Sequence, residues 1–313
     1  MHLDTRIQPC AVAIVQDSPV FLNLEASLEK ACGLIEEAAA QGANIIAFPE
    51  TWLPGYPVWL DYAPRAASWD YGPAKALYRL LAENSVSIPG PHADRLLEAA
   101  KKAGSHVVMG LHERRGGTLY NTLLILDRDG QRFEVHRKLV PTHAERLVWG
   151  RGDGSTLKAH ATEFGVLGGL ICWEHWMPLT RAAMHAQQET IHVAQWPSVN
   201  LNHDLASRHY AFEGQCFVLA AGSVLTKREA VEGCRSLGPP ASEAIELLES
   251  TPKGDEELLL RGGSAVIAPN TRHLAGPVLD EACILYACLL YTSPSPRDQR
   301  PNLVFRLLLE KRG

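Results

Sequence analysis

Phe164-Gly-Val-Leu-Gly-Gly-Leu-Ile-Cys-Trp-Glu-His-Trp-Met-Pro-Leu179 is the stretch of this 313-residue chain that decides the fold. An apolar, glycine-bearing run stops at Cys172, and polar and aromatic residues follow. Pro178 then stands where the first turn of a helix tolerates a missing N–H. The stretch reads as a buried strand, a tight turn and a helix start. That order puts the thiol at the carboxyl edge of a sheet, where α/β proteins hold their ligands. A buried cysteine is commonly a small inert hydrophobe, so the thiol gains meaning only in company. Two further strands supply it. Residues 45–50, Ile-Ile-Ala-Phe-Pro-Glu, end in the carboxylate of Glu50, and residues 135–138, Val-His-Arg-Lys, end in the amine of Lys138.

Outward from these segments, strand and helix signals alternate. Strands are expected at 7–15, 44–48, 106–112, 119–126, 132–135, 190–195 and 216–221, with the turn Asp127-Arg-Asp-Gly130 joining two of them. Helices are expected at 22–41, 73–83, 92–103, 179–187 and 202–215. Leu28, Ala31, Cys32, Ile35, Ala38 and Ala39 share one face of the first helix, and Gly42 stops it. The aromatic, proline-rich segment 52–71 is too long for a plain connection and reads as functional. Residues 241–260 read as an exposed acidic helix in a surface insertion. The pattern is that of an α/β sandwich, and by itself it does not separate two stacked sheets from one doubly wound sheet.

The composition is that of a globular domain with a substantial core: 46% hydrophobic, 21% charged, formal net charge −5. Mild acidity gives no reason to expect nucleic acid or an anionic membrane as partner. The first residues lack the build of a signal peptide, and no apolar stretch is long enough to span a bilayer. Seven cysteines without framework spacing point to a reducing compartment, so the expected location is cytoplasmic.

Three motifs stand in order: 48–60 (FPETWLPGYPVWL), 136–154 (HRKLVPTHAERLVWGRGDG) and 168–179 (GGLICWEHWMPL). Together they resemble the Glu-Lys-Cys triad of the nitrilase superfamily of carbon–nitrogen hydrolases, over residues 7 to 287. Cys172-Trp-Glu-His175 is what the nitrilase branch carries, as opposed to the amidase and carbamoylase branches. The resemblance implies a four-layer αββα sandwich. It also implies hydrolysis of an organic nitrile to carboxylic acid and ammonia through a cysteine thioimidate and thioester. Its site would consist of Glu50, Lys138 and Cys172, with Glu145 as a fourth member near the lysine. No metal and no organic cofactor is implied. A surface ion pair of Glu145 with Arg146 is the competing reading, and would be worth little.

For the pocket, Trp52, Tyr56, Trp59 and Trp196 are candidate lining, and the segment's aromatics favour arylaliphatic or larger aliphatic nitriles. Trp173 and Glu174 are candidates for contact with the intermediate, against plain packing. His175 is a candidate substrate neighbour, against a brace for the loop. An amidase or carbamoylase with the same triad is the alternative enzyme, and a non-catalytic self-assembling scaffold the alternative of another class. The resemblance further implies a homodimer or higher homo-oligomer, paired through the helices at 179–187 and 202–215. The domain is expected to span 1–287. Residues 288–313 form an atypical C-terminal tail, whose Cys288-to-Asp298 string resembles the conceptual translation of a transposase sequencing adaptor.

Overall fold

The computed structural model describes residues 9–290. Along them run β1 (Cys10–Gln16), α1 (Leu24–Ala40), β2 (Ile45–Ala47), α2 (Trp59–Tyr62), α3 (Gly72–Glu83), α4 (Pro91–Ala103), β3 (His106–Arg115), β4 (Thr118–Leu126), β5 (Phe133–Arg137), β6 (His160–Thr162) and β7 (Gly165–Ile171). The order continues with α5 (Pro178–His185), β8 (Ile191–Gln195), α6 (Leu201–Gly214), β9 (Phe217–Ala221), β10 (Val224–Thr226), α7 (Lys227–Arg235), α8 (Ser242–Glu249), β11 (Leu258–Ile267), β12 (His273–Leu279) and β13 (Cys283–Leu289).

Side chains alternate across a strand, and here the alternation sorts residues into layers. Val12, Ile14, Ile45, Ala47, Val108 and Leu123 join Leu167, Val193, Leu219 and Val266 in one buried cluster between two sheets. Their neighbours Ala13, Val15, Ile46, Val107 and Met109 turn the other way and pack on Leu28, Ala31 and Ile35 of α1 and Leu96 and Ala100 of α4. On the far side, Met184 of α5 and Tyr210 and Ala211 of α6 cover the second sheet. The result is the expected four-layer sandwich. The first sheet runs β13-β1-β2-β3-β4-β5 and the second β10-β11-β9-β8-β7-β6, with β12 on β11. In each, the three central strands are parallel: β1, β2 and β3 in one, β7, β8 and β9 in the other. Two antiparallel steps, β3 to β4 and β4 to β5, turn β5 back to the direction of β2. The carboxyl ends of β2 and β5 therefore lie at one edge.

Three expectations need correction. The helix expected at 241–260 is α8, which ends at Glu249, while Leu258 to Leu260 enter β11. It is no loose insertion either: Ala244, Leu247 and Leu248 are buried in one cluster with Leu77, Leu80 and Leu81 of α3. Acidic residues on its outer face hid an apolar face at helical spacing. Finally, β13 runs past residue 287. Cys288 pairs opposite Ala11 and Leu289 opposite Cys10, with Leu289 fully buried, so both belong to the sheet rather than the tail. The remainder of the tail from residue 291, and residues 7–8 of the first expected strand, lie outside the described residues.

Candidate active site

The chain after β2 crosses β3 at Gly110, where a Cβ would stand 1.9 Å from the Pro49 carbonyl oxygen and 2.7 Å from the Thr51 nitrogen. Only glycine admits that crossing, and it sets Glu50 over the sheet edge. The Glu50 N–H donates to the Trp196 carbonyl at 3.2 Å, tying β2's end to the end of β8 in the other sheet. Lys138 follows β5 and is held by its N–H to the Asn121 carbonyl at 2.9 Å. Next to it, Arg137 grips the buried Glu113 with two bonds of 2.6 and 2.5 Å, which fixes where β5 ends. Cys172 follows β7 as the first residue of a 3-10 turn, Cys172–Trp176, with φ of 53°. A non-glycine residue in the left-handed region is strained and persists only where its surroundings hold it.

These strand ends bring four groups together. The Lys138 ammonium lies 2.7 Å from Glu50 Oε1 and 2.7 Å from Glu145 Oε2. The Cys172 sulfur and the carboxylates of Glu50 and Glu145 offer atoms within 4.8 Å of one another. All four side chains are buried. Asn121 Nδ2 donates to Glu50 Oε1 at 2.6 Å, while Glu50 Oε2 is buried and finds no hydrogen-bond partner among the described residues. Glu145 accepts from the Tyr56 hydroxyl at 3.0 Å and from the Thr142 N–H at 2.6 Å. Its surface pairing with Arg146 is not what the structure contains; Arg146 donates instead to the Pro141 carbonyl.

Burial dominates the electrostatics. It pushes the Glu50 carboxyl up to about 7, against the pull of Lys138. It pushes the Cys172 thiol well above its usual range, with Glu50 adding to the effect and Lys138 opposing it. Burial alone would favour a neutral lysine, but the acidic groups around it outweigh burial and keep Lys138 protonated: Glu50 and Glu145 at rest, and Cys172 once it becomes a thiolate. The resting site is thus a neutral thiol beside a basic carboxylate and an ammonium. A metal ion held by Glu50, Glu145 and Cys172 would have to displace that ammonium, which already bridges both carboxylates.

The cavity over these groups measures about 610 Å³ and is lined by Tyr56, Tyr62, Trp173, Val199, Leu201, Leu260 and Pro277, with Asp61, His143 and Arg261 among the polar members. Tyr56 and Trp173, expected as lining or contacts, are there. Trp52, Trp59 and Trp196 do not reach it. Trp52 is fully buried, with its indole N–H on the Asp17 carbonyl; Trp59 packs on Phe21; Trp196 is stacked between His175 and His203. Aromatic content marked the segment without showing which rings turn inward. Glu174 and His175 also lie off the cavity. Glu174 accepts from the Ile171 and Leu139 N–H groups, both at 2.8 Å, and meets His136 Nε2 at 2.9 Å. It thereby clamps the end of β7 to the residue after Lys138. His175 turns back under the nucleophile loop, its Nδ1 2.7 Å from the Cys172 carbonyl oxygen.

Sequence reasoning missed Asn121, whose only signal is a buried amide inside an apolar strand. It also missed the bracing of the wall behind Lys138. The Trp149 indole N–H donates to His112 Nδ1 at 2.9 Å, so His112 Nε2 carries the proton that reaches the Gly55 carbonyl at 3.0 Å. Burial lowers this imidazole to about 3, which keeps it neutral and that tautomer fixed.

The Carbon-nitrogen hydrolase family model matches residues 11–289. A nitrilase of Pseudomonas syringae pv. syringae (strain B728a) is 41% identical over 297 residues, covering 90% of this chain and 82% of that protein. An aliphatic nitrilase of Sinorhizobium fredii (strain HH103) is 37% identical over 311 residues, covering 96% and 95%. Among solved structures, an amidase from Nesterenkonia sp. superposes with a TM-score of 0.66 at 16% identity, over 98% of this chain and 99% of that one. A CN-hydrolase superfamily protein from Xanthomonas campestris gives 0.67 at 15% identity, over 95% and 97%. At such identities the two structures speak for the fold alone.

Proposed function

The chain belongs to the carbon–nitrogen hydrolase family, on its nitrilase side, and from that premise we propose that it hydrolyses organic nitriles to the carboxylic acid and ammonia. The observation that carries the reading is the unpartnered, buried Oε2 of Glu50 in a group with the Cys172 sulfur and the Lys138 ammonium. Glu50 takes the thiol proton as the sulfur attacks the nitrile carbon, since the thiolate rather than the thiol is the nucleophile. Lys138 delivers a proton to the nitrile nitrogen, and its charge stabilises the negative charge developing there. Glu50 passes its proton to the now neutral Lys138, 2.7 Å away, and is free to act as base again. The thioimidate so formed adds water, whose proton goes to Glu50 while Lys138 protonates the nitrogen. Glu50 then returns that proton to the nitrogen, and the tetrahedral intermediate expels ammonia as its hydroxyl proton passes to Lys138. A second water frees the acid from the remaining thioester. Glu145 holds the ammonium from its far side, with Tyr56 and Thr142 fixing the carboxylate in turn.

A roomy cavity with a largely apolar wall supports arylaliphatic or larger aliphatic nitriles as substrates. Among the described residues no helix is long and apolar enough to cross a membrane. A cytoplasmic location is our reading of the cysteines, which form no disulfide among the described residues. Self-association as a homodimer or higher homo-oligomer is supported by apolar side chains exposed on neighbouring helices, Leu179 of α5 and Leu201, Leu205 and Phe212 of α6. A panel of nitriles, each assayed for ammonia beside its matching amide, tests the reading. Faster release from the amides would move the protein to the amidase side, and release from neither would favour the scaffold.

A further inference from the structure

Behind the nucleophile, on the side away from the cavity, three buried titratable groups form a line that the reaction as described does not use. His175 Nδ1 lies 2.7 Å from the Cys172 carbonyl oxygen, His175 Nε2 lies 2.9 Å from His192 Nε2, and His192 Nδ1 lies 2.7 Å from Glu189 Oε1. The Tyr210 hydroxyl donates to Glu189 Oε2 at 2.6 Å. Glu189, His192 and Tyr210 are fully buried and His175 nearly so. Tyr210 stacks on His192 at 3.8 Å and Trp196 on His175 at 4.8 Å, so neither ring is free to turn. Gly168 makes room for the line's far end: a Cβ there would come within 2.1 Å of Glu189 Oε1.

Counting protons along the line gives it a direction. A carbonyl oxygen only accepts, so His175 Nδ1 carries a proton. Burial holds both imidazoles neutral, so His175 Nε2 accepts and His192 Nε2 donates. His192 Nδ1 is then left as an acceptor facing a carboxyl oxygen. Three links need three protons and two neutral imidazoles bring two. The third belongs to the Glu189–His192 pair, and without it two acceptors would face each other at 2.7 Å in a dry interior.

We propose that Glu189, His192 and His175 form a positioning relay that locks the Cys172–Trp173 peptide and, through it, aims the sulfur. The peptide is planar, so a donor gripping the Cys172 carbonyl fixes the direction of the Trp173 N–H. That N–H stands beside the Cys172 sulfur, and its partial positive charge favours the thiolate, a smaller influence than the burial that keeps the thiol protonated. The same grip holds Cys172 at its strained φ of 53°. The relay rests on the reading of Cys172 as the nucleophile. It acts on the reacting atoms only through that peptide.

The test compares Glu189→Leu, Glu189→Gln and His192→Phe in the full chain by kcat and KM on a nitrile, by the rate of Cys172 alkylation with iodoacetamide, and by thermal melting. Glu189→Leu and His192→Phe should lower kcat about a hundredfold, the cost of a misaimed reacting group, with KM nearly unchanged and alkylation slowed in parallel. Glu189→Gln should restore both rates to within a few-fold of wild type. Its amide N–H supplies the third proton permanently, and its oxygen still accepts from Tyr210. His192→Asn replaces His192→Phe if the latter does not fold. A glutamine variant as slow as the leucine one, or an unimpaired His192→Phe, would overturn the relay. Alkylation needs no nitrile, so a failure of the nitrilase reading would leave this test intact.

Discussion

At the scale of single residues, the site pairs a thiol held protonated by burial with a carboxyl pushed up to about 7. A base works only when ionised, and Glu50 with a raised value loses its charge as pH falls through 7. The kcat/KM profile for a nitrile should therefore have an acid limb near 7, falling about tenfold per unit below it. Glu50→Gln should remove that limb together with nearly all turnover. A flat profile down to about pH 5 would show that another group takes the proton. Cys172→Ala should abolish hydrolysis while melting near the wild-type temperature, and the wild type should show an acyl or thioimidate mass adduct on Cys172 during turnover. Lys138→Met and Glu50→Gln should each cost orders of magnitude, and the double variant should be scarcely worse than either, because the two serve one step. Multiplying losses would contradict a shared mechanism. Glu50 and Cys172 were legible because each ends an apolar run, and Lys138 because it ends a strand inside the motif at 136–154. Asn121, the bond of Tyr56 to Glu145 and the histidine line were not, because their meaning lies in partners 71, 89 and 17 residues away across the fold.

At the scale of elements, the site depends on how closely the strand ends approach. Gly110 is the tightest crossing, and Gly110→Ala should push the Pro49–Thr51 segment, and Glu50 with it, off the sheet edge. An overpacking cost of about 1–3 kcal/mol is expected, read as a lowered melting temperature, with a larger proportional loss of kcat. Gly33 makes the contrast. It is exposed on α1, and a Cβ added there would meet nothing within 4 Å. Gly33→Ala should therefore stabilise the chain by about 1 kcal/mol through helix propensity and leave kcat alone. Equal effects at the two glycines would mean that the crossing does not position Glu50. Elements with a clean period, such as α1 and β4, could be read to within two or three residues. The α7–α8 region could not, because its apolar face is short and its partner is α3, far off in sequence.

At the scale of the whole molecule, the strained nucleophile turn runs directly into α5, and α5 packs beside α6. Leu179 of α5 is 86% exposed and Leu201 of α6 is 89% exposed. Ala182, Ala183 and Ala186 are also exposed, and let another helix approach closely. Leu201, Leu205 and Phe212 recur at the spacing of one helical stripe, so the two helices present a continuous apolar face. A two-fold pairing through this face would bury each stripe against its own copy, since an isologous interface uses the same patch twice. It would also stiffen α5, and through it the turn that carries Cys172. Light scattering on the wild type should then give a mass of at least twice the 34.3 kDa chain. Leu205→Glu with Phe212→Glu should give a folded monomer with kcat lowered more than KM is changed, because the cavity wall stays intact while the nucleophile turn loosens. A double variant with the wild-type mass would show that the stripe is not the interface. A monomer with full activity would show that pairing and catalysis are independent.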